Sequence, residues 1–210
     1  MKSTIRDASA IPGHLSPKGR RTRERILNSA LELFAKAGSN SVSLRAIAAH
    51  AGLSHPAILR YFANKDELVL AAIEMRDDTQ LIDIRSTDRS HEAVTEVFRA
   101  VVELMTVNFE SPGIVATYVK VSAEATDAEH PGHEYFTQRY ETVVEAATSA
   151  FRLAFRQNPP PYPVTAASAA RQLIALMDGL QIQWLLDPAG TDVARVLSDF
   201  LGSLGIDITR

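Results

Sequence analysis

The stretch Ser43-Leu-Arg-Ala-Ile-Ala-Ala-His-Ala-Gly52-Leu-Ser54-His-Pro-Ala-Ile58-Leu-Arg-Tyr-Phe62 decides the fold. Ser43 has the side chain to cap a short helix in which Leu44, Ile47, Ala48 and Ala51 recur at helical spacing. Gly52 and Leu53 follow as a turn. Ser54 then opens a second short helix to about Tyr61, with Pro56 in its first turn, where a missing N–H costs nothing. Two short helices around a glycine turn are the layout of a helix-turn-helix. Such a motif needs a small residue where the helices cross, a left-handed residue in the turn and an aliphatic anchor under the second helix. Ala48, Gly52 and Ile58 supply these in order. A generic helical hairpin is the plainer alternative.

Outward from this motif the apolar spacing is three and four, not two, and no strand pattern of useful length occurs. Residues 1–17, with Pro12, Gly13 and Pro17, read as a flexible arm. A first helix runs from about Pro17 to Lys36 on the stripe Ile26, Leu27, Ala30, Leu33 and Phe34, closed by a left-handed Gly38. Asn64 opens a fourth helix that begins Lys65-Asp66-Glu67-Leu68 and reaches the mid-80s as a connector. Five longer helices follow, over about Glu92–Phe109, Pro112–Ala125, from Pro131, Thr165–Leu186 and Asp192–Leu204. The expectation is an all-α protein of about nine helices, with a three-helix head over 18–64 and a helical bundle over 65–210.

Composition narrows the function. With 46% hydrophobic and 22% charged residues, the chain of 210 residues buries a real core. It has no cysteine, which excludes disulfides, thiolate metal sites and a cysteine nucleophile. No apolar run reaches the roughly 18 residues of a membrane span. The best, Leu173–Leu186, is interrupted by Asp178, Gln181 and Gln183. With no apolar stretch for a signal peptide in residues 1–17, the expected location is the cytoplasm. Residues 1–65 hold eleven Lys or Arg against three Asp or Glu, a net +8, while the rest of the chain carries −11. A basic first third suggests contact with a polyanion; a solvated basic face is the other reading.

The stretches Arg21-Thr22-Arg-Glu-Arg-Ile-Leu, Ala30-Leu-Glu-Leu-Phe-Ala, Val42-Ser-Leu-Arg-Ala-Ile-Ala, Ala51-Gly-Leu-Ser, Tyr61-Phe62 and Lys65-Asp-Glu-Leu resemble the TetR family of transcriptional repressors over about residues 20–75. Asp178-Gly-Leu-Gln-Ile-Gln-Trp-Leu-Leu-Asp-Pro188 is similar to the penultimate helix of many members. The resemblance implies a homodimer that binds double-stranded operator DNA and releases it when a small-molecule effector fills the C-terminal unit. It also places Lys65 on phosphate and gives Arg45 a base or backbone contact. The chain departs from the pattern at Pro56, commonly glycine, and at Leu59, commonly a tyrosine on the DNA backbone, so no phosphate contact is carried onto Leu59.

The residues themselves support a DNA surface. The N-terminal part of the second motif helix faces base edges in the major groove, which exposes His55, Ala57, Arg60 and Tyr61. Arg60 donates to guanine or phosphate, His55 donates or accepts, and Ala57 offers a methyl contact. Ser43 and Ser54 start helices whose free amides favour a phosphate oxygen. Arg21 and Thr22 complete the expected DNA-binding set.

Other signals are weaker. Met105, Phe109, Tyr118, Tyr140, Met177, Gln181 and Trp184 are candidate effector contacts, or simply core. Ala166, Ala169, Ala170 and Leu173 on one helix, with Val193, Val196, Leu197 and Phe200 on the last, are the candidate dimer face; an intrachain core is the alternative. His130, His133 and Glu134 lack the spacing of a zinc motif and read as a solvated helix start; no metal or cofactor is expected. No nucleophile elbow or phosphate loop occurs, and no enzyme is expected. A helical interaction adaptor that keeps the fold without DNA stands as the alternative function, and a helical enzyme as a more distant one.

Overall fold

The computed structural model describes residues 15–85 and 91–208, and among these every regular element is a helix. In chain order they are α1 (Pro17–Ser41), α2 (Leu44–His50), α3 (His55–Ile58), α4 (Lys65–Arg85), α5 (His91–Asn108), α6 (Pro112–Glu124), α7 (His133–Gln157), α8 (Ala166–Leu186) and α9 (Val193–Ser203). The all-α expectation is met. The expected arm lies outside the described residues, except that Ser16 caps α1 by accepting from the Gly19 amide and Pro17 is its first residue. Among the described residues no helix is long and apolar enough to cross a membrane.

The chain divides into two compact units between Met75 and Arg76, inside α4. The sequence places the head over 18–64, with α4 from Lys65 as connector. The buried stripe Leu68, Val69, Ala72 and Ile73 lies in the first unit, so the first half of α4 belongs to the head. The core of this unit is Ile26, Leu27, Ala30 and Phe34 of α1, Ile47 and Ala48 of α2, then Ile58 and Phe62. Helix α1 is interrupted at Gly38, where φ is 68° and ψ is 158°, a backbone state open to glycine and not to L side chains.

The second unit is a bundle in which α7 packs on α8, and α5 on α9. Its core is aromatic and aliphatic: Phe98 and Phe151 pack with ring centroids 4.7 Å apart, enclosed by Leu173, Leu197, Leu201 and Leu204. Ile206 and Ile208 return to this core after α9, held by Arg99 donating to the Ile208 carbonyl at 3.1 Å.

Candidate DNA-binding surface and effector cavity

The head presents the motif as its spacing predicts, with one correction. The Ser43 hydroxyl accepts from the Ala46 amide at 3.2 Å and so caps α2, a contact worth about 1 kcal/mol. Gly52 turns at φ 66°, and the Leu53 amide closes the turn on the Ala48 carbonyl at 2.8 Å. Helix α3 ends at Ile58 and not at Tyr61. The Leu59 amide reaches the His55 carbonyl only at 3.4 Å, and the Arg60 and Tyr61 amides bond three residues back, which tightens the chain into a turn. Ser54 precedes α3 without a side-chain cap.

None of the ten residues expected at DNA is buried. Arg21, Ser43, Arg45, Ser54 and Arg60 are exposed, and Thr22, His55, Ala57, Tyr61 and Lys65 are partly so. Thr22 donates back to the Lys18 carbonyl at 3.0 Å. Lys65 Nζ donates to the Asn40 carbonyl at 3.3 Å, which fixes the start of α4 near the end of α1 and leaves two ammonium protons for another acceptor. Asn64 Oδ1 accepts from the Glu67 amide at 2.8 Å and Glu67 accepts from the Ala63 amide at 2.7 Å, a capping arrangement at the same helix start. Arg23, 5.2 Å above the Phe62 ring, covers the core from outside.

The second unit encloses a cavity of about 180 Å³ lined from α5, α6, α7, α8 and the middle of α4. Of the expected effector contacts, Met105, Phe109, Tyr118, Met177 and Gln181 line it. Tyr140 and Trp184 do not. Each stands one side chain behind: the Tyr140 hydroxyl donates to Asp178 Oδ2 at 2.7 Å, and Trp184 stacks on Phe109 with centroids 4.4 Å apart.

Sequence reading missed the charged wall. Arg76, Asp77, Arg139 and Asp178 all line the cavity. Arg139 Nε and the Tyr135 hydroxyl both donate to Asp77 Oδ2 at 2.5 Å, and Asp77 is 8% exposed. Removing one partner of so buried a pair costs about 3–5 kcal/mol. The Arg139 guanidinium also lies 4.9 Å over the Tyr118 ring. Burial raises the pKa of Asp178, against the opposing influence of the Tyr140 hydroxyl and Arg139, and pushes the Tyr140 phenol up to about 12. The Tyr118 hydroxyl is fully buried beside the Tyr140 hydroxyl, in a residue 9% exposed. The available signal was Asp178 itself, a carboxylate inside the apolar run of α8.

Of the expected dimer face, Ala169, Ala170, Leu173, Val193 and Leu197 are enclosed in their own chain's core. Ala166 and Phe200 are partly buried against that core, and Val196 is 37% exposed. At the proposed solvated helix start, the Gly132 amide donates to His130 at 3.0 Å and His133 pairs with the Ala125 carbonyl at 2.9 Å. Among the described residues no three metal-ligating side chains come together.

A helix-turn-helix head on a second helical unit with a mixed-polarity cavity defines a class of DNA-binding transcriptional regulators. Residues 26–72 match the bacterial regulatory proteins of the tetR family, and residues 94–204, more than half of the chain, match the C-terminal region of BetI-type transcriptional repressors. The chain belongs to the TetR family and is a transcriptional regulator. It is similar to the nicotine-responsive transcriptional repressor HdnoR of Paenarthrobacter nicotinovorans, 27% identical over 168 residues that cover 80% of this chain and 85% of the relative. It is also similar to the regulator UidR of Escherichia coli K12, 26% identical over 84% of this chain and 86% of the relative. Two solved structures share the fold. A TetR regulator from Haloarcula marismortui superposes with a TM-score of 0.73 at 16% identity, covering 88% of this chain and 98% of that one. A transcriptional regulator from Saccharomonospora viridis in complex with choline gives 0.70 at 24% identity, covering 87% and 96%.

Proposed function

We propose that this protein is a cytoplasmic repressor that binds a two-fold operator as a homodimer and releases it when a small molecule occupies the cavity. The observation that carries the DNA reading is the division of labour in the motif: its apolar residues Ile47, Ala48 and Ile58 are buried, while Arg45 and Arg60 stand exposed on the same short segment. Lys65 at the start of α4 adds a third cation. One such head reads a single half-site, and two heads on a dimer read a palindrome.

The ligand reading is supported by the cavity with its buried Tyr118 hydroxyl and by the relative described as nicotine-responsive. Helix α4 carries both Lys65 of the head and the cavity residues Arg76 and Asp77, so a ligand that shifts these residues acts on an element shared with the head. Such a ligand weakens operator binding only through unequal affinity for the two states.

The dimer surface is reassigned to side chains left in solvent. On α8, Ala175, Gly179, Ile182 and Leu186 share one face at helical spacing; Ile182 is 49% and Leu186 82% exposed. A Cβ at Gly179 would meet nothing within 4 Å, so a second helix has room to approach there. Val196 and Phe200 continue the apolar surface on α9.

Selection of bound fragments from a random DNA pool tests the reading. The expected product is an enriched sequence with two inverted half-sites whose centres lie about 34–36 Å apart. Absence of enrichment over input overturns it.

A further inference from the structure

Four charged side chains line the cavity: Arg76, Asp77, Arg139 and Asp178. Asp77 and Arg139 are bonded to each other. Arg76 and Asp178 are not so matched. Among the described residues, Arg76 donates only to a neutral amide oxygen, Asn108 Oδ1 at 2.5 Å, and Asp178 accepts only from the neutral Tyr140 phenol, at its Oδ2. Asp178 Oδ1 and most of the Arg76 N–H groups are left without a partner. Burial raises the pKa of Asp178 and lowers that of Arg76, the directions expected of charges short of compensation. Arg76 on α4 is held by Asn108 at the end of α5, and Asp178 on α8 by Tyr140 of α7, so the two open charges stand on different helices with different partners. The bonded pair adjoins both, Asp77 next to Arg76 in the chain and Arg139 next to Tyr140. Beside Asp178 and Arg139 is the buried hydroxyl of Tyr118, next to that of Tyr140, with an oxygen lone pair to offer.

We infer that the cavity selects a compact zwitterion, its carboxylate at Arg76 and its ammonium at Asp178 and Tyr118, joined by an apolar body lying against Met105, Phe109 and Met177. The inference rests on the reading of this cavity as the effector site. An ammonium brings three N–H donors, and Asp178 Oδ1 and the Tyr118 oxygen take two of them. A lone cation leaves Arg76 uncompensated, and a lone anion leaves Asp178 so; a zwitterion satisfies both without changing the net charge of the site. The cavity of about 180 Å³ is slightly larger than one of about 150 Å³ that holds benzene, so the ligand has on the order of ten non-hydrogen atoms. An ω-amino acid carries its two charges at opposite ends of an apolar body, which lets it meet Arg76 and Asp178 on their separate helices.

Calorimetric titration of the full chain with three matched probes, ε-aminocaproate, hexylamine and caproate, decides the matter. ε-Aminocaproate should bind at least about tenfold more tightly than either singly charged probe. Asp178→Asn, which keeps an oxygen for Tyr140, should reduce ε-aminocaproate to the affinity of caproate and leave caproate unchanged. Arg76→Gln should reduce it to the affinity of hexylamine. Tyr118→Phe should weaken the two amines and spare caproate. Circular dichroism and melting confirm that each variant is folded. Equal or tighter binding of a singly charged probe overturns the inference, as does failure of all three to bind at about 10 mM. Operator affinity is measured separately with each probe. A zwitterion that binds as described without weakening the operator complex defeats the effector reading and leaves the ligand class standing.

Discussion

Asp178 concentrates the chemistry of the second unit in one side chain. It sits inside an otherwise apolar helix, holds the Tyr140 hydroxyl, and faces the cavity with one oxygen unused. Burial lifts its pKa above the ordinary 3.8, so the folded state binds a proton more readily than the unfolded chain. The protonated carboxyl favours folding, and that contribution is complete below 3.8 and is lost as pH rises through the raised value. Above that raised value the buried carboxylate is a cost to folding. Asp178→Asn removes the titration and keeps the hydrogen bond to Tyr140. Its melting temperature relative to wild type should therefore climb between acid and neutral pH, with Arg139, Tyr140 and Tyr118 as the neighbouring charged and titratable groups. A constant difference across that range would show that Asp178 carries no such penalty.

The motif turn decides how α2 and α3 are placed. Gly52 holds φ at 66° with open space where a Cβ would stand, so any penalty for a side chain there is one of backbone alone. Gly52→Ala should destabilise the head by about 1–2 kcal/mol, and Gly52→Asn by less, since asparagine tolerates left-handed backbone. Equal loss for both in a chemical-denaturation series would point to crowding instead. Most of this element-scale structure was legible in the sequence. Apolar spacing of three and four set the helices, and Ser43, Gly52, Pro112 and Thr165 marked ends that the structure places within a residue or so. The end of α3 was not legible, because the spacing of Ile58 and Phe62 fits both a continued helix and the tight turn found at Leu59–Tyr61. The cavity was half legible. Its apolar lining came from helical stripes, but the bond between Asp77 and Arg139 joins residues 62 apart on different helices, which no local pattern encodes. The stripe Ala169, Ala170 and Leu173 lies in the chain's own core, and it suits a packed core as well as an interface, which periodicity does not tell apart.

For the whole molecule, the proposed function joins three surfaces: the basic motif, the cavity, and the apolar face of α8 and α9. The last is tested by charge. Ile182→Glu and Leu186→Glu alter side chains already in solvent, so the fold should survive while dimers at micromolar concentration dissociate to monomers in sedimentation. Wild-type protein that sediments as a monomer would refute the dimer.

The central claim is that the exposed cations of the motif hold DNA. It is tested most directly by titrating the selected operator with wild type and with the Arg45→Ala, Arg60→Ala and Lys65→Ala variants across a range of salt. Each lost phosphate contact should weaken binding and flatten the dependence of log affinity on log salt by about one unit. A base-reading Arg60 should instead relax preference at one position, at a cost of about 1–3 kcal/mol. Affinity and salt slope unchanged in all three variants would contradict the account.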